Sequence, residues 1–329
     1  MTSSLPASRP RRRRIRGTAA ALLSAAVFAA SPAAVAAVRP AGLSGGVRSA
    51  DGKPTVVLVH GAFADASSWN AVVERLQKDG YRVVAAANPL RGLATDSASV
   101  AGVLRSIHGP IVLVGHSYGG AVISQAATGN PNVKALVYVS ALMPDKGEVL
   151  GRLAARFPGS ALDPALKKVP FRNTDGTTGT DLYVAPDKFH AVFAADLPRT
   201  TTSLMAATQR PIAASAFSDK ATSAAWRTIP SWAAVATRDK AIAPDVERFE
   251  ARRAASHVIE IDSSHVGMIS HPGAITDLIL DAARAQAPAT PSMARTGFPT
   301  LGLAGATAAI FIAGAGLVTL GRKRPNRMH

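Results

Sequence analysis

The 329-residue chain is 47% hydrophobic and 18% charged, which suits one full-sized domain with short extensions and leaves little room for two enzymatic domains. Its formal charge of +16 does not point to nucleic acid. Ten of the 37 basic residues lie in acid-free segments before residue 37 and after residue 297, leaving 27 against 21 acids, and no basic stripe is interleaved with aromatics. Cysteine is absent, which excludes disulfides, thiolate metal sites and a cysteine nucleophile.

In chain order, a basic stretch from Arg9 to Arg16 precedes an apolar run, Thr18 to Ala30, and Ala34-Val35-Ala36 fits a small-x-small cleavage site. Residues 1–36 read as a secretory signal peptide and residues 37–53 as the leader of the mature chain. From Thr55 onward, short β-rich runs alternate with helical patterns, as in a parallel sheet built from βαβ units. The runs are Thr55–His60, Arg82–Asn88, Ile111–His116, Ala135–Ala141, Ser231–Thr237 and His257–Asp262. Their Val/Ile/Ala content suits strands covered on both faces. Ser68–Asp79 is a helix with Trp69, Val72, Val73 and Leu76 on one side.

These runs predict one α/β core in two parts, residues 54–144 and 226–287. Its mostly parallel central sheet is flanked by helices and interrupted by an insertion, residues 145–225. The insertion has weaker strand signals and turn clusters such as Asn173-Thr174-Asp175-Gly176. It falls at the edge of the sheet where an active site is built, so it is expected to form a mainly helical cap. Asp187 to Phe217 reads as helical. Phe189, Phe193 and Met205 of the cap, with Phe63 of the core, are the expected substrate contacts, and packing of the cap onto itself is the competing use of the cap residues.

Gly115-His116-Ser117-Tyr118-Gly119 is a G-x-S-x-G pentapeptide entered by an apolar run, Ile111–Val114, and left by a helical one, Ala121–Gln125. That setting makes a strand–turn–helix elbow, which lifts a serine hydroxyl above the sheet at a helix N-terminus. Ser117 is therefore the candidate nucleophile, and it needs a base. Of the eight histidines, His265 and His271 remain once turn, strand, cap and tail positions are set aside. His265, in the loop after the last core strand, is preferred, because His271 precedes Pro272 and the final helix, Pro272–Ala285. Asp239, after the strand Ser231–Thr237, lies between serine and histidine in chain order and is the candidate acid. Asp145 is its rival. The oxyanion donors are expected to be the N–H of Tyr118 and that of Ala62 in His60-Gly61-Ala62-Phe63, with Phe63 as the alternative.

After the core comes a linker, residues 288–297, ending in Met293-Ala294-Arg295-Thr296-Gly297. It resembles the Leu-Pro/Ala-x-Thr-Gly pentapeptide that sortases cut, with Met in place of the usual Leu. An uncharged apolar stretch, residues 298–321, is long enough to span a bilayer, and a basic tail, residues 322–329, follows. The order predicts a secreted domain on the outer face of the cell, held by a transmembrane helix or joined to the cell wall.

Val57-Leu58-Val59-His60-Gly61-Ala62, Trp69, Val112–Gly120, Ala141-Leu142-Met143-Pro144-Asp145, Asp239 through Pro244 and Ser264-His265-Val266-Gly267-Met268 together resemble the methylesterase/hydroxynitrile-lyase branch of the α/β-hydrolases. The resemblance runs from about Pro54 to Ala285 and is weakest in the cap. It implies the α/β-hydrolase fold, a small-molecule ester or related carbonyl substrate, and no cofactor. The lyases of the branch carry a lysine after the catalytic histidine and a threonine in the oxyanion loop. Val266 and Ala62 stand there instead, which favours ester hydrolysis. Other chemistry on the same triad (lyase, amidase or haloperoxidase-like) and a non-catalytic small-molecule binding scaffold are the competing readings. No pair of histidines has the spacing of a helical metal site, so no metal is expected.

Overall fold

The computed structural model describes residues 52–286. The signal peptide, the leader up to residue 51, the linker with its pentapeptide, the apolar stretch 298–321 and the basic tail lie outside the described residues. The first part of the core holds β1 (Thr55–Val59), α1 (Asn70–Lys78), β2 (Val83–Ala86), α2 (Leu93–Arg105), β3 (Ile111–His116), α3 (Tyr118–Ala126) and β4 (Val133–Val139). An insertion follows, with α4 (Leu150–Ala154), β5 (Leu166–Arg172), β6 (Thr178–Val184), α5 (Pro186–Phe193), α6 (Arg199–Thr208), β7 (Ile212–Ala213) and α7 (Ser215–Ser218). The chain then returns to the core with β8 (Ser231–Ala236), α8 (Pro244–Arg253), β9 (His257–Ile261), α9 (Gly267–Ser270) and α10 (Pro272–Ala285).

Six strands form one parallel sheet in the order β2-β1-β3-β4-β8-β9. The central strands β1, β3 and β8 are buried along their whole length, because α1 packs with α10 and α2 with α3 to cover the two faces. That double cover is why their sequences are apolar without alternation. Helix α10 buries Ile275, Leu278, Ile279 and Ala282, spaced as one helical stripe. From β1 the chain moves to one edge of the sheet, and from β3 to the other. The gap between these neighbours is the switch point where open α/β sheets place their ligand sites, and both the His60–Phe63 loop and the elbow open there.

The expected strands all form, with ends shifted by a few residues. The fourth starts earlier, at Val133, and stops at Val139, because Ser140 takes a positive φ of 44°. Within the insertion, β5, β6 and β7 make a small antiparallel sheet beside the helices. Asn173–Gly176 is the turn of its hairpin, where Asp175 accepts the Thr177 N–H at 2.9 Å. One expectation is corrected here. Among the described residues no helix is long and apolar enough to cross a membrane, so the transmembrane helix has no support.

Two carboxyl groups are buried one turn apart on α8. Glu247 accepts the Ala236 N–H at 3.1 Å and Glu250 the Met143 N–H at 2.5 Å. Both acids sit inside because main-chain donors at strand ends need partners once water is excluded. Burial pushes the Glu250 carboxyl up from 4.5 to about 8. The folded chain thus holds this proton to higher pH than the unfolded chain. Its contribution to stability is full below pH 4.5 and is lost as pH rises toward about 8. Glu250→Gln keeps an acceptor for Met143 and removes the titration. Melting curves from pH 5 to 8 are expected to show wild type losing stability relative to this variant as pH rises. A constant difference would contradict the assignment.

Candidate active site

Ser117 sits between β3 and α3 with φ 54° and ψ −126°, a conformation that costs a non-glycine residue about 1–3 kcal/mol. The surrounding backbone enforces it. The Ser117 N–H donates to the Val139 carbonyl at 3.2 Å, and its own carbonyl accepts the N–H groups of Gly120 and Leu142 at 3.0 and 3.2 Å. Gly119 lets α3 press against β1, since a Cβ there would meet the Val59 carbonyl oxygen at 2.7 Å. At Gly61 a Cβ would lie 2.6 Å from that of Ser117, so this glycine lets the preceding loop close onto the elbow.

Asp239 and His265 follow β8 and β9 and meet in the interior, with His265 Nδ1 at 2.5 Å from Asp239 Oδ2. The other oxygen, Oδ1, accepts the N–H groups of Ala241 and Ile242 at 2.7 and 2.9 Å. The carboxylate is thus fixed on both sides and orients the ring so that Nε2 is the nitrogen left unengaged. No direct hydrogen bond joins Ser117 Oγ to His265 in this arrangement, but both line one cavity of about 30 Å³ with Ala62, Phe63, Tyr118 and Phe193.

The rival residues are occupied elsewhere. Asp145 pairs with Arg227 at the surface, and His271 bonds its neighbour Ser270 at 2.9 Å. Phe63 donates its N–H to the Arg210 carbonyl at 3.0 Å. Ala62 and Tyr118, which begins α3, keep N–H groups that no described residue accepts. The loop holding Ala62 is braced by His60, which bonds the Gly61 carbonyl through Nδ1 at 2.9 Å and accepts the Asn88 N–H on Nε2 at 3.0 Å. Burial keeps His60 below its ordinary pKa, in line with that neutral tautomer.

Three features bear on the base itself. Burial, with the nearby His265 adding to it, holds the His116 ring well below the usual histidine range. The neutral ring donates from Nε2 to the His265 carbonyl at 2.9 Å. From the insertion, Asp196 accepts the Ser264 N–H at 3.1 Å and a short bond from its hydroxyl. Burial works to raise the Asp196 carboxyl, but the bonds from Ser264 and Ser270 hold it below the usual range. Phe193 packs its ring 4.9 Å from that of His265.

The Alpha/beta hydrolase family profile matches residues 56–278. The chain belongs to the α/β-hydrolase family. It is 26% identical over 253 residues to the α/β hydrolase nvfD of Aspergillus novofumigatus, covering 70% of this chain and 97% of that protein. It is 32% identical over 107 residues to a carbendazim hydrolyzing esterase of a Nocardioides species, covering 29% of this chain and 44% of the esterase. The crystal structure of polyneuridine aldehyde esterase shares the fold, with a TM-score of 0.61 at 21% identity, over 70% of this chain and 98% of that one.

Of the side chains expected to touch substrate in this α/β-hydrolase, Phe63 and Phe193 line the cavity. Phe189 does not. It is fully buried against Phe193, with ring centroids 5.0 Å apart. Met205 does not line it either and packs half-buried on the core. Phe189 lies one layer behind the pocket, a distinction that helical spacing cannot make. Sequence reasoning missed Leu142, Leu162, Phe217, Ala241 and Ile242 as lining, and Asp196 as a partner of the histidine loop. Ala241 and Ile242 were foreseeable from their place just after Asp239. Asp196, 68 residues from Ser264, left no local signal.

Removing the Asp196 clamp should loosen the base without dismantling the site. Asp196→Ala is expected to slow labelling of Ser117 by a fluorophosphonate by about tenfold, as small misplacements of reacting groups do, with the circular dichroism spectrum unchanged. Wild-type labelling by a folded variant would show that the clamp holds only the cap.

Proposed function

We propose that the chain is a carboxylic ester hydrolase acting on small-molecule esters through an acyl-Ser117 intermediate. One observation carries this reading. His265, paired with a buried Asp239, lines the same cavity as a serine on a strained elbow and two residues whose N–H groups no described residue accepts. His265 takes the Ser117 proton as Oγ attacks the ester carbonyl, and the carbonyl oxygen, now negative, lies against the N–H groups of Ala62 and Tyr118. Collapse of this intermediate expels the alcohol, which receives the proton from His265. A water activated by the same ring then releases the acid. Asp239 holds the tautomer and stabilises the imidazolium.

The names of the carbendazim hydrolyzing esterase and polyneuridine aldehyde esterase support the ester class. The cavity lining supports it against a lyase, since it contains no lysine or arginine and Val266 is fully buried beside His265. The arginine-led apolar segment of residues 1–36 supports export of the enzyme.

The test compares wild type, Ser117→Ala and Asp239→Asn with a fluorophosphonate probe and short-chain nitrophenyl esters. Ser117→Ala is expected to lose both labelling and hydrolysis. Asp239→Asn should lower kcat by on the order of 10⁴ with the fold intact, because the histidine loses its orienting acceptor. Labelling without hydrolysis of any ester would redirect the chemistry to amides or lactones. Neither signal from folded wild type would overturn the catalytic reading.

A further inference from the structure

The cavity at Ser117 and His265 is small, about 30 Å³, well below the roughly 300 Å³ at which small-molecule pockets begin. An ester cannot be seated there with both its arms, so at least one arm extends into adjoining space. A second cavity of about 810 Å³ adjoins it, and Ala154, Leu162, Phe217 and Ala241 line both. That volume lies in the range of small-molecule pockets, about 300–1,000 Å³. We propose that this larger chamber binds one bulky, uncharged, apolar arm of the substrate, an aromatic or branched alkyl group, with Leu162 and Phe217 as the partition the arm passes. The proposal rests on the ester-hydrolase reading and adds to it the shape of the ester.

The walls fit such an arm. Val149, Ala155, Phe157, Pro158, Leu166 and Leu182 contribute apolar surface. The charged members, Arg152, Asp163 and Lys220, are all exposed, which places them toward solvent. The chamber is also tied to the catalytic loop. Ser160 donates to the Ala241 carbonyl at 2.8 Å, and Ala161 donates its N–H to the Lys240 carbonyl at 2.7 Å. Ala241 in turn donates its N–H to Asp239. One residue therefore touches the acid, the catalytic cavity and the chamber. The partition is built from half-buried side chains. Phe217 belongs to the four-residue helix α7 and leans on Tyr118, with ring centroids 6.4 Å apart.

Ala155 is exposed, lines the chamber and does not line the catalytic cavity, so Ala155→Trp fills the chamber from its outer side. The full chain is assayed with ethyl acetate, ethyl naphthaleneacetate and naphthylmethyl acetate, which carry the bulky arm on neither, the acyl or the alcohol side. The expected result is a fall of about tenfold or more in the kcat/KM ratio of one naphthyl ester to the acetate. Phe217→Ala should move that ratio the other way. In the Ser117→Ala background, calorimetric binding of the same naphthyl ester should weaken at least tenfold when Ala155→Trp is added.

Unchanged ratios and unchanged binding would overturn the chamber assignment, while Ser117-dependent hydrolysis of the acetate would leave the hydrolase reading standing. If folded wild type hydrolyses none of the three esters, it is the hydrolase reading that fails, and the proposal falls with it. Should Ala155→Trp not fold, Phe217→Ala alone decides: a ratio equal to wild type overturns the assignment.

Discussion

The backbone of Ser117 is held where a side chain resists being, and the architecture around it exists to maintain that. A parallel strand enters the turn and a helix leaves it, so the serine is fixed by hydrogen bonds to β4 and to the residues that follow it. The approach of α3 to β1 requires a glycine at position 119, and the approach of the oxyanion loop requires another at position 61. The strain of about 1–3 kcal/mol is affordable because the flanking strands are wholly buried and too tightly packed to relax around one residue. What this yields is a serine that lines one cavity with Ala62 and Tyr118, set before any substrate arrives.

The base is held by its main chain as much as by its acid. His116 fixes its carbonyl, Asp196 fixes the residue before it, and Phe193 covers its ring. His116 belongs to the elbow and the other two to the insertion. The position of the base is therefore agreed between nucleophile, core and cap, and the cap is part of the site as well as a cover for it. The same division appears at the oxyanion loop, where Arg210 of the insertion takes the Phe63 N–H and so leaves Ala62 as the unpaired donor. A buried polar group without a partner costs about 1–3 kcal/mol, and the His116 Nε2, Ser264 and Asp239 groups that position the histidine are each answered.

The insertion also carries the space proposed to take one arm of the substrate. Its segments from Val149 to Leu182 wall the larger chamber, while Leu162 and Phe217 stand between it and the serine. In the proposed enzyme, chemistry and selectivity thus lie in different parts of the chain. On the proposed reading the core supplies Ser117, Asp239, His265 and the two N–H donors, and the cap sorts which arms reach them. A fold shared by many hydrolases changes its substrates in this way without disturbing its strands.

Much of the core was determined by the sequence alone. Six apolar runs interleaved with helical stripes predicted the parallel sheet, and the strand–glycine–serine–glycine–helix order predicted the elbow, because both rest on local spacing. Asp239 and His265 were legible from chain order relative to the strands that carry them. The ends of β4 were not, since Ser140 is turned by its neighbours and not by its own type. The sequence itself favours Ala62 over Phe63, and what the fold adds is that the Arg210 carbonyl takes the Phe63 N–H. The exclusion of Phe189 and Met205 from the cavity awaited the packing of the cap. The Asp196–Ser264 clamp and the chamber joined to the serine came from the tertiary structure alone. They are made by residues far apart in sequence whose types carry no period, and only packing brings them into register.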